Sequence, residues 1–223
     1  AALEAKKYFE IIAEIKKKST SRGVLCQDLD PLRIAHAYEI SGAAALSILT
    51  DEKFFGGSVQ ILSEVHREIR LPILRKDFII DRYQILEARL LGADAILLIA
   101  GILKPDQLLS LSREAERVGV DTLFEVHNQN ELESVLPLNP KLVGINNRDL
   151  RDFSVNMATT EALMKRMPKN IFVVSESGIK NFEDLKRLKG FGVRAALVGE
   201  TLMTQKDPGR ALTDLLGSFR DTR

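Results

Sequence analysis

Cysteine occurs once in this chain, as Cys26. A single thiol excludes an internal disulfide and any cysteine-based metal cluster, and it fits a reducing compartment, so a cytoplasmic location is expected. Histidine is scarce too: His36, His66 and His127 stand far apart and form no HExxH pair, so no zinc centre is expected. Neither sign of charge dominates, with Lys+Arg 32 against Asp+Glu 31 and a formal net charge of +1. Global electrostatics therefore give no reason to bind nucleic acid or an anionic membrane, and an anionic ligand must be attracted locally. No apolar run approaches the roughly 18 residues of a membrane span, and Ala1-Ala2-Leu3-Glu4 lacks a signal-peptide pattern. Linkers, low-complexity tracts and shifts of composition are also missing, so one domain over residues 1–223 is expected.

What is present is a recurring unit. Short β-branched or Leu-rich runs fall at Ile11 to Ile15, Ala45 to Leu49, Pro72 to Arg75, Ala95 to Ile99, Thr122 to Val126, Leu142 to Ile145, Ile171 to Val174 and Ala195 to Val198. Segments of helical period separate them. Asp30-Pro31 and Asp207-Pro208 each supply an N-cap followed by proline at the first helical position. Asp81-x-x-Gln84 and Asn128-x-x-Glu131 resemble capping boxes, and Gly92, Gly119 and Gly192 stand where helices should end. Strands alternating with helices imply parallel pairing, and eight units in 223 residues predict a closed (β/α)8 barrel of the TIM type. A doubly wound open sheet is the competing architecture, but the turn after the first run, Lys17 to Gly23, contains neither GxGxxG nor GxxxxGK[ST].

Barrel chemistry sits at the carboxyl ends of the strands, so the last polar residue of each run is the informative one. Glu14 and Lys16 are two apart and share one face of the first strand. Later strands contribute Lys76, Glu125, Asn146 with Arg148, and Glu176. Each alone reads as readily as a solvated or ion-paired residue. Together they place charge where desolvation penalises it, which a purely structural barrel has no reason to do. Paired lysines and glutamates suit acid/base work because each charge shifts its neighbours. Ser177-Gly178-Ile179 and Gly199-Glu200-Thr201 put glycines where strands pass into helices, either as tight turns or as the backbone donors of a phosphate site. Phe54, Phe55 and Phe78 follow the second and third strands, where core packing and a seat for a flat ring both remain open. His36 and His66 fall in helical segments, and His127 reads as a structural hydrogen-bonding residue.

Five segments carry a further signal: Ile12-Ala13-Glu14-Ile15-Lys16-Lys17-Lys18-Ser19, Ile73-Leu74-Arg75-Lys76-Asp77-Phe78, Phe124-Glu125-Val126-His127, Gly144-Ile145-Asn146-Asn147-Arg148-Asp149-Leu150 and Val174-Ser175-Glu176-Ser177-Gly178-Ile179. In this order they closely resemble the motifs of the indole-3-glycerol phosphate synthase family. The resemblance implies a carboxy-lyase of tryptophan biosynthesis that cyclises 1-(2-carboxyphenylamino)-1-deoxyribulose 5-phosphate with loss of carbon dioxide and water, without cofactor or metal. It implies Lys76 as general acid, Glu125 as its acid/base counterpart, Lys16 on the substrate carboxylate with Glu14 orienting it, and Asn146 and Glu176 on the sugar hydroxyls or nascent ring. It also implies a phosphate site of Ser19, Ser177, Gly178, Gly199 and the Glu200 amide, and an aromatic pocket walled by Phe55, Phe78, Leu97, Arg148 and Leu150. The partner implied is a phosphorylated small molecule, with association or fusion to other enzymes of the pathway left open.

Two departures stand out. The family's Ser-Pro-Ser after the first strand is here Ser19-Thr20-Ser21, which removes a φ constraint. Only about ten residues precede the first strand, so the family's N-terminal extension is expected to be short or missing. A Schiff-base aldolase using Lys76 and a non-catalytic barrel that binds a phosphorylated ligand are the rival readings.

Overall fold

The structure, a computed structural model, describes residues 9–20 and 22–219. Ser21, the last residue of the altered Ser-Pro-Ser segment, and residues 1–8, on which the expectation of a short extension rests, lie outside the described residues.

Eight strands run parallel around a closed barrel: β1 (Glu10–Ile15), β4 (Ala45–Leu49), β5 (Ile73–Lys76), β6 (Ala95–Ile99), β7 (Asp121–Val126), β8 (Leu142–Asn146), β9 (Phe172–Glu176) and β10 (Ala195–Val198), with β10 closing on β1. Two short strands that the sequence reading did not foresee, β2 (Lys18–Ser19) and β3 (Gly23–Val24), form an antiparallel hairpin just past β1. The helices are α1 (Pro31–Ile40), α2 (Glu52–Phe55), α3 (Val59–Glu68), α4 (Arg82–Leu90), α5 (Pro105–Arg117), α6 (Gln129–Val135), α7 (Ala158–Met164), α8 (Phe182–Gly190), α9 (Glu200–Met203) and α10 (Pro208–Leu216). Among the described residues no helix is long and apolar enough to cross a membrane.

The strand runs are apolar almost throughout because both faces are covered. Alternation divides them into two packed sets. Ile11, Ala13, Ile15, Leu46, Ile48, Ile96 and Leu98 pack outward among the helices. Ile12, Ala45, Leu74, Leu97, Ile99, Leu123, Phe172 and Leu197 fill the barrel interior. The inward row therefore continues upward through Glu14 on β1 and Lys16 just past it, Lys76 on β5, Glu125 on β7, Asn146 on β8 and Glu176 on β9. Burial of the lower layers fixes where these polar groups emerge.

The helix starts follow the local chemistry of the sequence. Asp30 accepts from the Arg33 N–H at 3.1 Å and Asp207 from the Arg210 N–H at 2.9 Å. Asp81 and Gln84 form a reciprocal capping box at the start of α4. The Asn128 cap differs from expectation in one respect. Asn128 accepts from the Glu131 N–H at 3.1 Å, but the Glu131 carboxylate accepts from the backbone N–H of His127, at 2.8 Å, rather than from that of Asn128. The imidazole of His127 claims the same carboxylate oxygen and draws it one residue upstream.

Candidate active site

The carboxyl ends of β1, β5, β7, β8 and β9 bring all six expected acid/base and orienting residues to one mouth. Lys76 is the hub: its ammonium lies 3.1 Å from Glu125 Oε2 and 3.3 Å from Glu176 Oε2. Glu125 also accepts from Asn146 Nδ2 at 3.2 Å on Oε1. Beside them Lys16 Nζ meets Glu14 Oε1 at 2.7 Å. Glu14, Glu125, Asn146 and Glu176 are buried, so these charges interact in a medium far less screening than water.

Burial opposes ionisation of Lys76, Glu125 and Glu176, and their neighbours decide which way each moves. For Lys76, burial pushes toward the neutral amine, but Glu125 and then Glu176 outweigh it and hold the ammonium well above the ordinary lysine range. For Glu125, burial is overcome by Lys76 and by His127, so the carboxylate is held well below its usual range. Glu176 goes the other way: burial, reinforced by Glu125 and Glu14 against the pull of Lys76, raises it to about 8. The two carboxylates that share the Lys76 ammonium are thus pushed in opposite directions, Glu125 toward its ionised form and Glu176 toward its neutral one.

Two glycines make room for this arrangement. A side chain at Gly144, on β8, would collide with Glu176 Oε1, and one at Gly199 would collide with the Glu14 carboxylate. Glu176 Oε1 and the hydroxyl of Ser47, a buried β4 residue paired with Glu14 across the β1–β4 ladder, have no hydrogen-bond partner among the described residues. Buried polar atoms are seldom left so.

The expected phosphate residues also come together. Ser19 is buried in the hairpin and its hydroxyl accepts from the Arg22 N–H at 3.1 Å. Ser177 and Gly178 take successive left-handed conformations, φ 66° and 84°, and a side chain on Gly178 would strike Val155. Gly199 caps the short α9. The Glu200 carboxylate, awkward in an anion site, is turned onto two arginines, Arg22 Nε at 2.8 Å and Arg148 Nη2 at 3.3 Å.

Of the aromatic-wall residues, Phe78 packs over the barrel interior. Phe55 stacks on it at 6.2 Å between centroids and Phe54 meets its edge at 6.1 Å, so the three rings form one cluster on the rim. Leu97 lies in the interior. Leu150 is exposed on the loop after β8.

The sequence reading passed over several residues that the structure draws in. Ile99 is buried in the interior next to Glu125 in register, one step nearer the mouth than Leu97; continuing the alternation from Leu97 would have found it. Arg75 is buried beneath the β5 end, bound to Thr50, Asp77, Glu87 and the Gln84 carbonyl. Asn147 donates to Ser175 and to the carbonyls of Glu176 and Ser177, securing the β9 turn. Arg22 carries no motif signal, because its contact with Glu200 depends on the hairpin. His127, read as structural, has its Nε2 3.1 Å from Glu125 Oε1.

Among the described residues no group of three or more His, Cys, Asp or Glu side chains is placed to hold a metal ion. A closed parallel barrel with an acid, a base and cations converging at the strand carboxyl ends defines a (β/α)8 enzyme of the acid/base type. The family model for indole-3-glycerol phosphate synthase matches residues 1–215. The indole-3-glycerol phosphate synthase of Desulforamulus reducens is 49% identical over 207 residues, covering 92% of this chain and 78% of the relative. That of Zymomonas mobilis subsp. pomaceae is 46% identical over 220 residues, covering 97% and 83%. This chain belongs to the indole-3-glycerol phosphate synthase family. The crystal structure of KGPDC from Streptococcus mutans superposes with a TM-score of 0.73 over 96% of this chain and 99% of that one, at 11% identity, a likeness of fold alone.

Proposed function

We infer that this chain makes indole-3-glycerol phosphate from 1-(2-carboxyphenylamino)-1-deoxyribulose 5-phosphate in tryptophan biosynthesis, and that the Lys76 hub carries the ring closure. The observation behind this reading is the single ammonium shared by Glu125 and Glu176, with the Lys16–Glu14 pair beside it. In ring closure the aromatic carbon bearing the carboxylate attacks the ribulose carbonyl, whose oxygen takes a proton from Lys76. Carbon dioxide then leaves, the electron pair of its bond returning to the ring system. Loss of water completes the indole: the new hydroxyl departs with a proton supplied by a lysine, and Glu125 accepts the proton released from the substrate. Lys16 holds the substrate carboxylate until decarboxylation, oriented by Glu14. Asn146 and the protonated Glu176 donate hydrogen bonds to sugar hydroxyls, which is the use a carboxyl kept neutral at pH 7 is suited to. Fixed charges in a water-poor mouth stabilise the developing charge without reorganising.

The phosphate is assigned to Ser19, Ser177, Gly178 and the backbone N–H groups of Gly199 and Glu200, and the aromatic ring to Phe55, Phe78, Leu97, Arg148 and Leu150. A Schiff-base role for Lys76 is disfavoured by its surroundings. Such a lysine must reach its neutral amine, whereas here Glu125, with Glu176 beside it, holds it protonated.

Incubation with the carboxyphenylamino deoxyribulose phosphate should raise indole fluorescence. In folded protein, Lys76→Ala and Glu125→Gln should each lower kcat by about 10²- to 10⁴-fold, the range of a lost general acid or base. Absence of product from a well-folded protein refutes the assignment. Full activity in either variant refutes the role of that residue, and a lysine adduct trapped by borohydride on the reaction path restores the aldolase.

A further inference from the structure

Acid and base 3.1 Å apart present this site with a difficulty. Lys76 and Glu125 can cancel by passing a proton between themselves, and once Lys76 has given its proton to the substrate nothing on that side keeps Glu125 ionised. A second cation would remove the difficulty, and one stands on the other oxygen.

The inward row of β7 runs Leu123, Glu125 and then His127, the residue just past the strand. The His127 side chain is 9% exposed. Its Nδ1 lies 3.0 Å from Glu131 Oε2, and the same carboxylate oxygen accepts the His127 backbone N–H at 2.8 Å. Glu131 is itself fixed: its Oε1 accepts from Asn128 Nδ2 at 2.6 Å, and its backbone N–H is capped by Asn128. On the opposite side of the ring, Nε2 approaches Glu125 Oε1 to 3.1 Å as an ion-pair contact without in-line hydrogen-bond geometry, and it is buried with no other partner among the described residues. A helix cap, a backbone N–H and a carboxylate are thus spent on orienting an imidazole that the reaction as described does not use. Three carboxylates bear on the ring: Glu125 from β7, Glu131 from α6, and Asp149 from the loop after β8, whose own ionisation the ring favours. The cations near it are Lys76, paired to Glu125, and Arg151, paired to Asp149.

We propose that His127 is a positioning residue for Glu125: a cation fixed by Glu131 that keeps the Glu125 carboxylate ionised and in place while Lys76 gives up and regains its proton. Lys76 and His127 take different oxygens of Glu125, Oε2 and Oε1, so loss of the lysine's charge leaves the histidine's contact intact. Burial alone would favour the neutral ring, but Glu125 and Glu131 on its two sides raise it to about 10, in keeping with a permanent cation at working pH. The proposal rests on the acid/base role given to Glu125 above.

The test uses the full chain with His127→Gln and Glu131→Gln. Loss of a neighbouring cation moves a carboxyl upward by about one unit or more, so the acidic limb of the kcat profile of His127→Gln should shift at least that far toward alkaline pH. On that acidic limb its kcat at a given pH should fall about tenfold, one unit being a factor of ten, with a smaller change in KM. In Glu131→Gln the ring loses the anion on Nδ1 and keeps Glu125 and Asp149, so the alkaline limb should move toward neutrality. The 15N shifts of the His127 ring in the unaltered protein should show both nitrogens protonated at pH 8. In a Glu125→Gln background, His127→Gln should cost little further activity, as expected of residues acting as a unit. A lowered melting temperature with an unmoved pH profile in His127→Gln, or a neutral ring at pH 8, overturns the proposal. If His127→Gln fails to fold, Glu131→Gln decides, and a wild-type profile there overturns it. Full turnover by Glu125→Gln overturns the role of Glu125 and this proposal with it. An inactive Glu125→Gln beside an unmoved His127→Gln profile overturns this proposal alone.

Discussion

Glu200 shows at the scale of a single residue how the site looks before an anion arrives. Its carboxylate occupies two cations, Arg22 and Arg148. An incoming phosphate must either accept this arrangement or compete with it, because like charges at short range repel. Glu200→Gln is therefore expected to lower KM several-fold, on the order of 1 kcal/mol, with kcat little altered, as read in steady-state kinetics at low salt. A raised KM would show instead that Glu200 holds the arginines in their binding positions. The residue's place at a strand-to-helix turn was legible in sequence. Its arginine partners were not, since they lie 178 and 52 positions away and meet it only through the β2–β3 hairpin and the loop after β8.

Among the elements, β5 and its following loop carry the greatest structural burden. Lys76 projects from the last position of β5, and Arg75 directly before it points to the opposite face, where it is buried. The guanidinium meets Asp77 at 3.1 Å, Glu87 at 2.8 Å and the Gln84 carbonyl at 3.0 Å, tying the strand end to α4. Removing one member of a buried ion network leaves its partners uncompensated, at a cost of about 3–5 kcal/mol. Arg75→Leu is accordingly expected to lower the urea midpoint sharply and to reduce kcat in whatever fraction stays folded, because the loop that aims Lys76 loosens. A variant with unchanged urea midpoint would show the network to be dispensable. Arg75 illustrates why elements were easier to read than their supports. A charged residue inside an apolar run resembles a strand terminus, and only the packing of α4 against β5 reveals a closed set of partners.

For the molecule as a whole, the buried charges of the mouth couple stability to pH. The folded state raises His127 from 6.5 to about 10, so its contribution is fully present below pH 6.5 and is lost as pH rises through 10. Glu176 is raised from 4.5 to about 8, and stability therefore declines across that window as the unfolded chain releases the proton first. Glu125, held low, works in the opposite direction and weakens the protein only as the solution becomes acidic. The melting temperature should accordingly fall from about pH 7 to pH 10, and both His127→Gln and Glu176→Gln should flatten that decline. Equal slopes in all three proteins would show that neither group dominates the alkaline limb.

The sequence by itself determined the eight-unit pattern, the capped starts of α1, α4 and α10, and the row of polar strand ends from Glu14 to Glu176. These follow from periodicity, turn chemistry and the two-residue repeat of a strand, all of which are local. Only the tertiary structure decided that Lys76 would be shared by two carboxylates, that burial and neighbours would push Glu125 and Glu176 in opposite directions, and that His127 would stand behind Glu125. Those outcomes depend on distances of about three ångströms between strands far apart in the chain, where a small displacement reorders Coulomb terms that water no longer screens. Sequence spacing carries no such distances. Barrel closure, by pairing β10 with β1 and packing the inner layers, sets them.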